Sequence, residues 1–314
     1  MRLKRFRKGL SLKTRPPGAE QNKFKTYWQE GQVMNIAVLS DIHGNHVALE
    51  KCVQSALDNG VERFLFLGDY LGELAFPQKT MEIIYSLKEK YQCWFIKGNK
   101  EDYWLGYDNT WKEYDSTTGA LYYTYHQLTE QDLTFFKGLK ICENIILPGL
   151  PVITACHGSP GKVNEKMLPN NERTFSAIEK NDSDYIVCGH THIQNAMEHN
   201  GKRVWNPGSV GVSVNGQGKA QFLILKGESS KWRAEFFSVD YDVEQVIKEL
   251  HQSGLYEKAP GWCSVTEHLL RTGETPHGSV LGRAMSLCSQ AEGSCHWPDI
   301  PEKYWRQAVG EMIG

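Results

Sequence analysis

From Met34 onward, short apolar runs alternate with stretches in which apolar residues recur at helical spacing. "NIAVLS" (35–40) is one such run, and Val47, Leu49, Cys52, Val53, Ala56 and Leu57 then follow a helical period until Asn59-Gly60 stops it. "RFLFLGD" (63–69) predicts a second strand, "PQKTMEIIYSLKEK" (77–90) a helix opening on Pro77, and "CWFIKGN" (93–99) a third strand. Strands alternating with helices predict an α/β layered core with strands buried on both faces. An aromatic-rich insertion, 103–140, breaks the rhythm and carries a predicted helix from Thr129, where Thr129 and Asp132 have the spacing of a cap. Four strand-like runs come next, "NIILP", "PVITACHG", "DYIVCGH" and "KRVWNPGSVG", with a helix over "RTFSAIEK". "KAQFLILKG" and "WRAEFFSVD" form a predicted hairpin. From Asp242 the pattern turns helical and includes Trp262, Trp297 and Trp305, with Pro301 near a helix start. The expected divisions are an N-terminal extension (1–33), a core (34–240) and a helical C-terminal region (241–314) that is either a lid or an oligomer contact.

Charge changes this picture only at the N-terminus. The 314 residues carry a net charge of −2, which gives the whole molecule no bias toward nucleic acid or membrane. Residues 1–33, however, hold nine Lys or Arg against Glu20 and Glu30. That composition suits a disordered extension or a basic arm for an anionic surface, and Met34-Asn35 just after it resembles a start. A partner nucleic acid is not expected. No run is long enough for a signal peptide or a membrane span. The eight cysteines form no CxxC pair, and Cys93, Cys156 and Cys188 lie within apolar runs, so a reduced, cytoplasmic protein is expected.

The candidate chemistry lies where the strands end. "VLSDIHGN" supplies Asp41 and His43, "FLGDY" Asp69, "IKGNK" Asn99, "ITACHGS" His157, and "IVCGHTH" His190 and His192. The crevice outside the carboxyl ends of strands is the ligand site of an open α/β sheet. Any one Asp or His is more often a turn or surface residue than a ligand. Seven O and N donors at five strand ends exceed the needs of one ion and suit two that share a carboxylate. In Asp-x-His and His-x-His, residues i and i+2 can share a face. Glycines 44, 68, 98, 158 and 189 allow close backbone approach.

The ordered blocks D-x-H, G-D, G-N, H-G and G-H-x-H resemble the calcineurin-like metallophosphoesterase superfamily over about residues 34–240, and "NPGSVG" (206–211) resembles its bacterial branch. That resemblance implies a β-sandwich flanked by helices on both faces, with a helical C-terminal tail here. It implies two divalent ions, manganese first with iron, zinc, nickel or cobalt as alternatives. Asp41, His43 and His192 would hold one ion and Asn99, His157 and His190 the other, with Asp69 as bridge. A metal-bridging hydroxide would then hydrolyse a phosphoester, a diester before a monoester, with a small phosphoester such as a nucleotide as substrate and a homo-oligomer as an open option. "YLGE" after Asp69 departs from the "VDRG" of the protein serine/threonine phosphatases.

Where the family has His after Gly-Asn, this chain has Lys100. Its ordinary pKa of about 10.4 makes it a poor acid at neutral pH. Nearby ions and burial would lower that value, and a charged lysine could instead stabilise phosphate and leaving oxygen. Lys100 and Asp69 are therefore the expected catalytic residues, against the plainer reading that Lys100 faces water beside Glu101. His46, His126 and His199 read as surface histidines. Tyr103, Trp104, Tyr107, Trp111, Tyr114, Tyr122, Tyr123 and Tyr125 pack a cap more often than they stack a substrate base. The competing function is a catalytically weak binding or scaffold module on the same fold.

Overall fold

The computed structural model describes residues 34–106, 118–228 and 230–314. The basic segment 1–33 and Tyr107, Trp111 and Tyr114 lie outside the described residues. The strands are β1 (Met34–Leu39), β2 (Arg63–Phe66), β3 (Gln92–Phe95), β4 (Cys142–Ile145), β5 (Ile153–Cys156), β6 (Tyr185–Val187), β7 (Gln194–His199), β8 (Lys202–Pro207), β9 (Ala220–Glu228) and β10 (Lys231–Val239). The helices of the first half are α1 (His46–Asp58), α2 (Pro77–Lys90), α3 (Asn99–Leu105), α4 (Gly119–Tyr125), α5 (Glu130–Lys137) and α6 (Glu172–Glu179). Beyond the last strand come α7 (Val243–Gln252), α8 (Leu255–Lys258), α9 (Pro260–Thr272), α10 (His277–Glu292) and α11 (Glu302–Ile313).

Two five-stranded sheets form the sandwich, ordered β10-β9-β1-β2-β3 and β4-β5-β6-β8-β7. β1, β2 and β3 run parallel, as do β5, β6 and β8, so their carboxyl ends point the same way within each sheet. Period-two alternation divides the central strands between two cores. In β1, Ile36 and Val38 join Leu65, Ile153, Val187 and Trp232 between the sheets, while Ala37 and Leu39 face outward with Phe64 and Phe66. Leu49 and Val53 of α1, Met81 and Ile84 of α2, and Phe136 of α5 cover that outer side. Ile178 of α6 covers Cys156, Ile186 and Val204 on the other sheet. Helices therefore flank both faces, as the resemblance implies.

Thr129 caps α5 in a reciprocal box with Asp132, and β9 and β10 pair as the predicted hairpin. Among the strands, β7 and β4 depart from the hydrophobic pattern. β7 reads "QNAMEH" because it is an edge strand bonded only to β8 and half exposed, so no apolar alternation marks it. The fourth strand is Cys142–Ile145 and not the expected 144–148, leaving Ile146 at 74% exposure.

The C-terminal helices are no loose tail. Val246, Trp262, Leu269, Val280 and Trp305 form their own core, which closes on Val47, Leu74, Ala75 and Val212. Those four residues follow the strand-end motifs, so the helices pack beside the carboxyl ends of the strands.

Candidate metal centre

Each motif lies on the loop that leaves a parallel strand. Five of the seven predicted donors adopt left-handed backbone: Asp41 (φ 55°), His43 (51°), Asp69 (52°), His190 (67°) and His192 (60°). Such conformations are uncommon outside glycine and cost of order 1–3 kcal/mol each unless surrounding contacts impose them. The contacts here are interloop hydrogen bonds. Asp41 N–H donates to Gly68 O (3.1 Å), His43 N–H to Asp69 O (3.0 Å) and Gly189 N–H to His157 O (2.7 Å). Crossing is tight enough that a methyl group on Gly98 would collide with the Asp69 carboxylate and backbone nitrogen. The turn at 206–211 locks this assembly, with Asn206 Nδ2 donating to Gly189 O (2.7 Å) and Ser209 Oγ to Asp41 O (2.7 Å).

The structure brings the donor atoms together. Nε2 of His43 and His192 are 3.1 Å apart, and His157 Nε2 is 3.1 Å from Asn99 Oδ1. Asp69 Oδ2 lies 3.7 Å from His43 Nε2 and 3.6 Å from His157 Nε2, between the two groups. Asp41 Oδ1 is 3.2, 3.8 and 3.9 Å from Nε2 of His192, His43 and His157. It is fully buried without an aligned hydrogen bond among the described residues. Asp41 thus belongs to both clusters, Asp41–His43–His192 and Asp41–Asp69–His157. The His190 ring packs 5.1 Å from that of His157, and the His190 backbone N–H donates to Asp41 Oδ2 (3.0 Å).

The outward ring nitrogens fix which nitrogen faces in. His157 Nδ1 meets Leu67 O at 2.8 Å and His192 Nδ1 meets Val212 O at 3.1 Å, so both rings donate outward and present Nε2. Burial would raise the Asp41 carboxyl, but the imidazoles of His192 and His157 outweigh it and hold Asp41 ionised well below the usual range. Burial, then His157, pushes His190 down to about 4, leaving it neutral at pH 7 as a ligand must be. A buried orphan carboxylate oxygen ringed by imidazole nitrogens is costly alone and is satisfied by a cation. The O and N donors suit a divalent ion of borderline character.

Lys100 faces neither water nor Glu101. Its stem crosses Gly72, and Nζ lies 2.6 Å from Glu73 Oε1 and 5.6 Å from the Trp262 ring. Burial alone would lower the lysine pKa, as expected from sequence, but Glu73 and then Asp69 raise it above its ordinary value. Glu101 has turned inward for another purpose. Its carboxylate accepts N–H bonds from Gly98 (2.7 Å), Asp69 (3.0 Å) and Tyr70 (3.0 Å), stitching the second loop to the third.

Glu73 and Trp262 are components that the sequence pattern does not announce. The available signal for Glu101 was its place three residues after Gly98, where a glutamate reaches back to the backbone N–H that opens α3. For Glu73 there was none, since it lies in a loop without periodicity. His46 is buried, bonded to Glu249 at 2.7 Å, and not on the surface. His126 is exposed, and the half-buried His199 pairs with Glu179 at 2.8 Å. Trp104 and Leu121 pack into the outer core, so the described part of the aromatic insertion supports the cap reading.

Known proteins are similar to this chain in sequence and fold. The Methanocaldococcus jannaschii protein MJ0912 is 28% identical over 241 residues, 71% of this chain and 94% of that one. The metallophosphoesterase from Sphaerobacter thermophilus matches with TM-score 0.61 at 22% identity, over 77% of this chain and 99% of its own. PH1004 from Pyrococcus horikoshii OT3 matches at 0.66 and 20%, with the same coverage. At such identity the two structures show a common fold. Residues 34–230 match the calcineurin-like phosphoesterase superfamily domain, and the chain belongs to that superfamily.

Proposed function

We propose that the protein is a dimetal phosphoesterase acting on a small phosphoester, a diester before a monoester. The observation that carries this reading is Asp41 Oδ1, buried without an aligned hydrogen bond and faced by three imidazole Nε2 atoms. Asp41, His43 and His192 would hold one ion, Asn99, His157 and His190 the other, and Asp69 both; manganese is the expected metal. Two ions held by these residues would lower the pKa of water and neutralise charge on phosphate oxygens.

The chain's own residues do the rest. Asp69 is fixed by the Lys100 backbone N–H (2.8 Å on Oδ1), which leaves Oδ2 directed between the clusters. Lys100 remains charged at neutral pH and contributes positive charge to the developing oxyanion instead of a proton. The diester preference rests on analogy with the bacterial branch, which the turn at 206–211 resembles. Eight free thiols fit a cytoplasmic location, and no described helix is long and apolar enough to cross a membrane.

A second reading, a catalytically weak binding or scaffold module, draws on Lys100. With Nζ engaged by Glu73, position 100 offers no group that titrates near pH 7. Hydrolysis of an aryl phosphodiester and the matching monoester with added manganese separates the two. Turnover by wild type that Asp69→Asn abolishes supports the esterase and ranks the substrates. Two manganese ions bound per chain without turnover of either ester supports the binding module.

A further inference from the structure

Behind the donor cluster sits a carboxylate that no strand-end motif contains. Glu73 is 4% exposed, and its two oxygens meet three elements at once. Oε1 lies 2.6 Å from Lys100 Nζ and 3.6 Å from His43 Nδ1, while Oε2 accepts the indole N–H of Trp262 from α9. His43 Nδ1 is buried and has no hydrogen-bond partner among the described residues. His157 and His192 each spend the same atom on a backbone carbonyl. Glu73 is the group that occupies this position behind His43.

We infer that Glu73 is a positioning residue: it orients His43 toward the metal centre and makes that orientation depend on the seating of α9. The inference rests on the dimetal reading above. A histidine that presents Nε2 inward must carry its proton on Nδ1, and an acceptor beyond Nδ1 both selects that tautomer and raises the basicity of the ring. At 3.6 Å the contact is longer than a hydrogen bond, and a small tilt of the imidazole closes it. Glu73 is the fixed partner in that adjustment, since Lys100 and Trp262 hold it by shorter contacts. Trp262 is itself set by its neighbours. Its ring stacks on His277 of α10 (4.4 Å, 24°) and on Trp305 of α11 (5.5 Å, 16°). The chain linking the C-terminal helices to the centre is thus Trp305, Trp262, Glu73, His43.

Calorimetric titration of the full-length protein with Mn²⁺ tests this, with circular dichroism as a check on folding. Wild type is expected to bind two ions per chain, and a single ion overturns the dimetal reading without touching Glu73, which is read from the ratio of variant to wild type. Glu73→Gln is expected to weaken one of the sites about 10- to 100-fold, and Trp262→Phe, which keeps the ring and removes the N–H, to weaken the same site less. Glu249→Gln, a carboxylate paired with His46 and Lys79, is expected to leave both affinities unchanged. If Glu73→Gln does not fold, Glu73→Gln combined with Lys100→Met removes both buried charges and replaces it. Nitrogen-15 shifts of His43 give a second readout without metal: the Nδ1–H tautomer in wild type, a mixture in the Glu73 variant. Wild-type affinity at both sites together with an unchanged His43 tautomer overturns the inference, and protein that binds no Mn²⁺ at all overturns it with the reading beneath it.

Discussion

Truncating Glu101 to alanine should cost more stability than almost any other single change near the centre. The side chain is wholly buried and its carboxylate accepts three backbone N–H bonds, from Gly98, Asp69 and Tyr70, at 2.7, 3.0 and 3.0 Å. Alanine leaves all three donors without an acceptor. Each unsatisfied buried donor costs about 1–3 kcal/mol, which sets a range of about 3–9 kcal/mol. Two effects place the outcome in the lower half. Burial, and then the charge of Asp69, push the Glu101 carboxyl up to about 8, so deletion also recovers the cost of burying this acid beside Asp69. Water can also enter the polar space vacated. About 3–5 kcal/mol remains, a large share of the roughly 5–15 kcal/mol that holds a domain folded. Urea unfolding followed by circular dichroism measures it, with Asp102→Ala as neighbouring control. Asp102 pairs with Lys97 at 2.6 Å but is 42% exposed, and such a pair contributes about 1 kcal/mol or less. Glu101→Ala within 1 kcal/mol of that control would refute the argument that this carboxylate clasps the loops.

Three further outcomes are expected. Lys100→Ala should lower both turnover and melting temperature, because it leaves the buried Glu73 carboxylate uncompensated, at a cost of about 3–5 kcal/mol, whereas Lys100→His should keep or raise turnover; equal rates for wild type and the alanine variant would remove Lys100 from the chemistry. Gly98→Ala should fold less stably and lose manganese affinity measured by calorimetry, since the added methyl can be accommodated only by moving Asp69. Burial pushes the Glu249 carboxyl up, but bonds from Lys79 and His46 hold it lower than usual, so its contribution is complete above about pH 4.3 and fades as pH falls through the depressed folded value. Melting curves of wild type and Glu249→Gln should accordingly differ at pH 7 and converge in acid.

The strand-end residues could be read from sequence because each sits within a few positions of an apolar run that ends abruptly. A parallel strand buried on both faces must break from its apolar pattern where its loop begins, so Asp41, Asp69 and His157 stand out against Leu39, Phe66 and Cys156. α3 was harder, having only seven residues and no apolar period; its start depends on Glu101, whose carboxylate bonds to other loops as well as to its own cap. β7 was invisible because an edge strand with both sides half exposed needs no alternation.

By itself the sequence determined the alternation of strands and helices and the strand ends at which the candidate ligands lie, because local period and local composition encode both. Only the tertiary structure decided what Lys100 touches, that Glu101 turns inward, and that Trp262 reaches Glu73 across 189 residues. It also decided the left-handed backbone at five of the donors, a conformation that Asp and His adopt only occasionally unless surrounding contacts impose it. The physical reason is common to these cases. Propensity and periodicity act over a few residues, whereas the partner of a buried charge is chosen by whatever element the folded chain brings beside it.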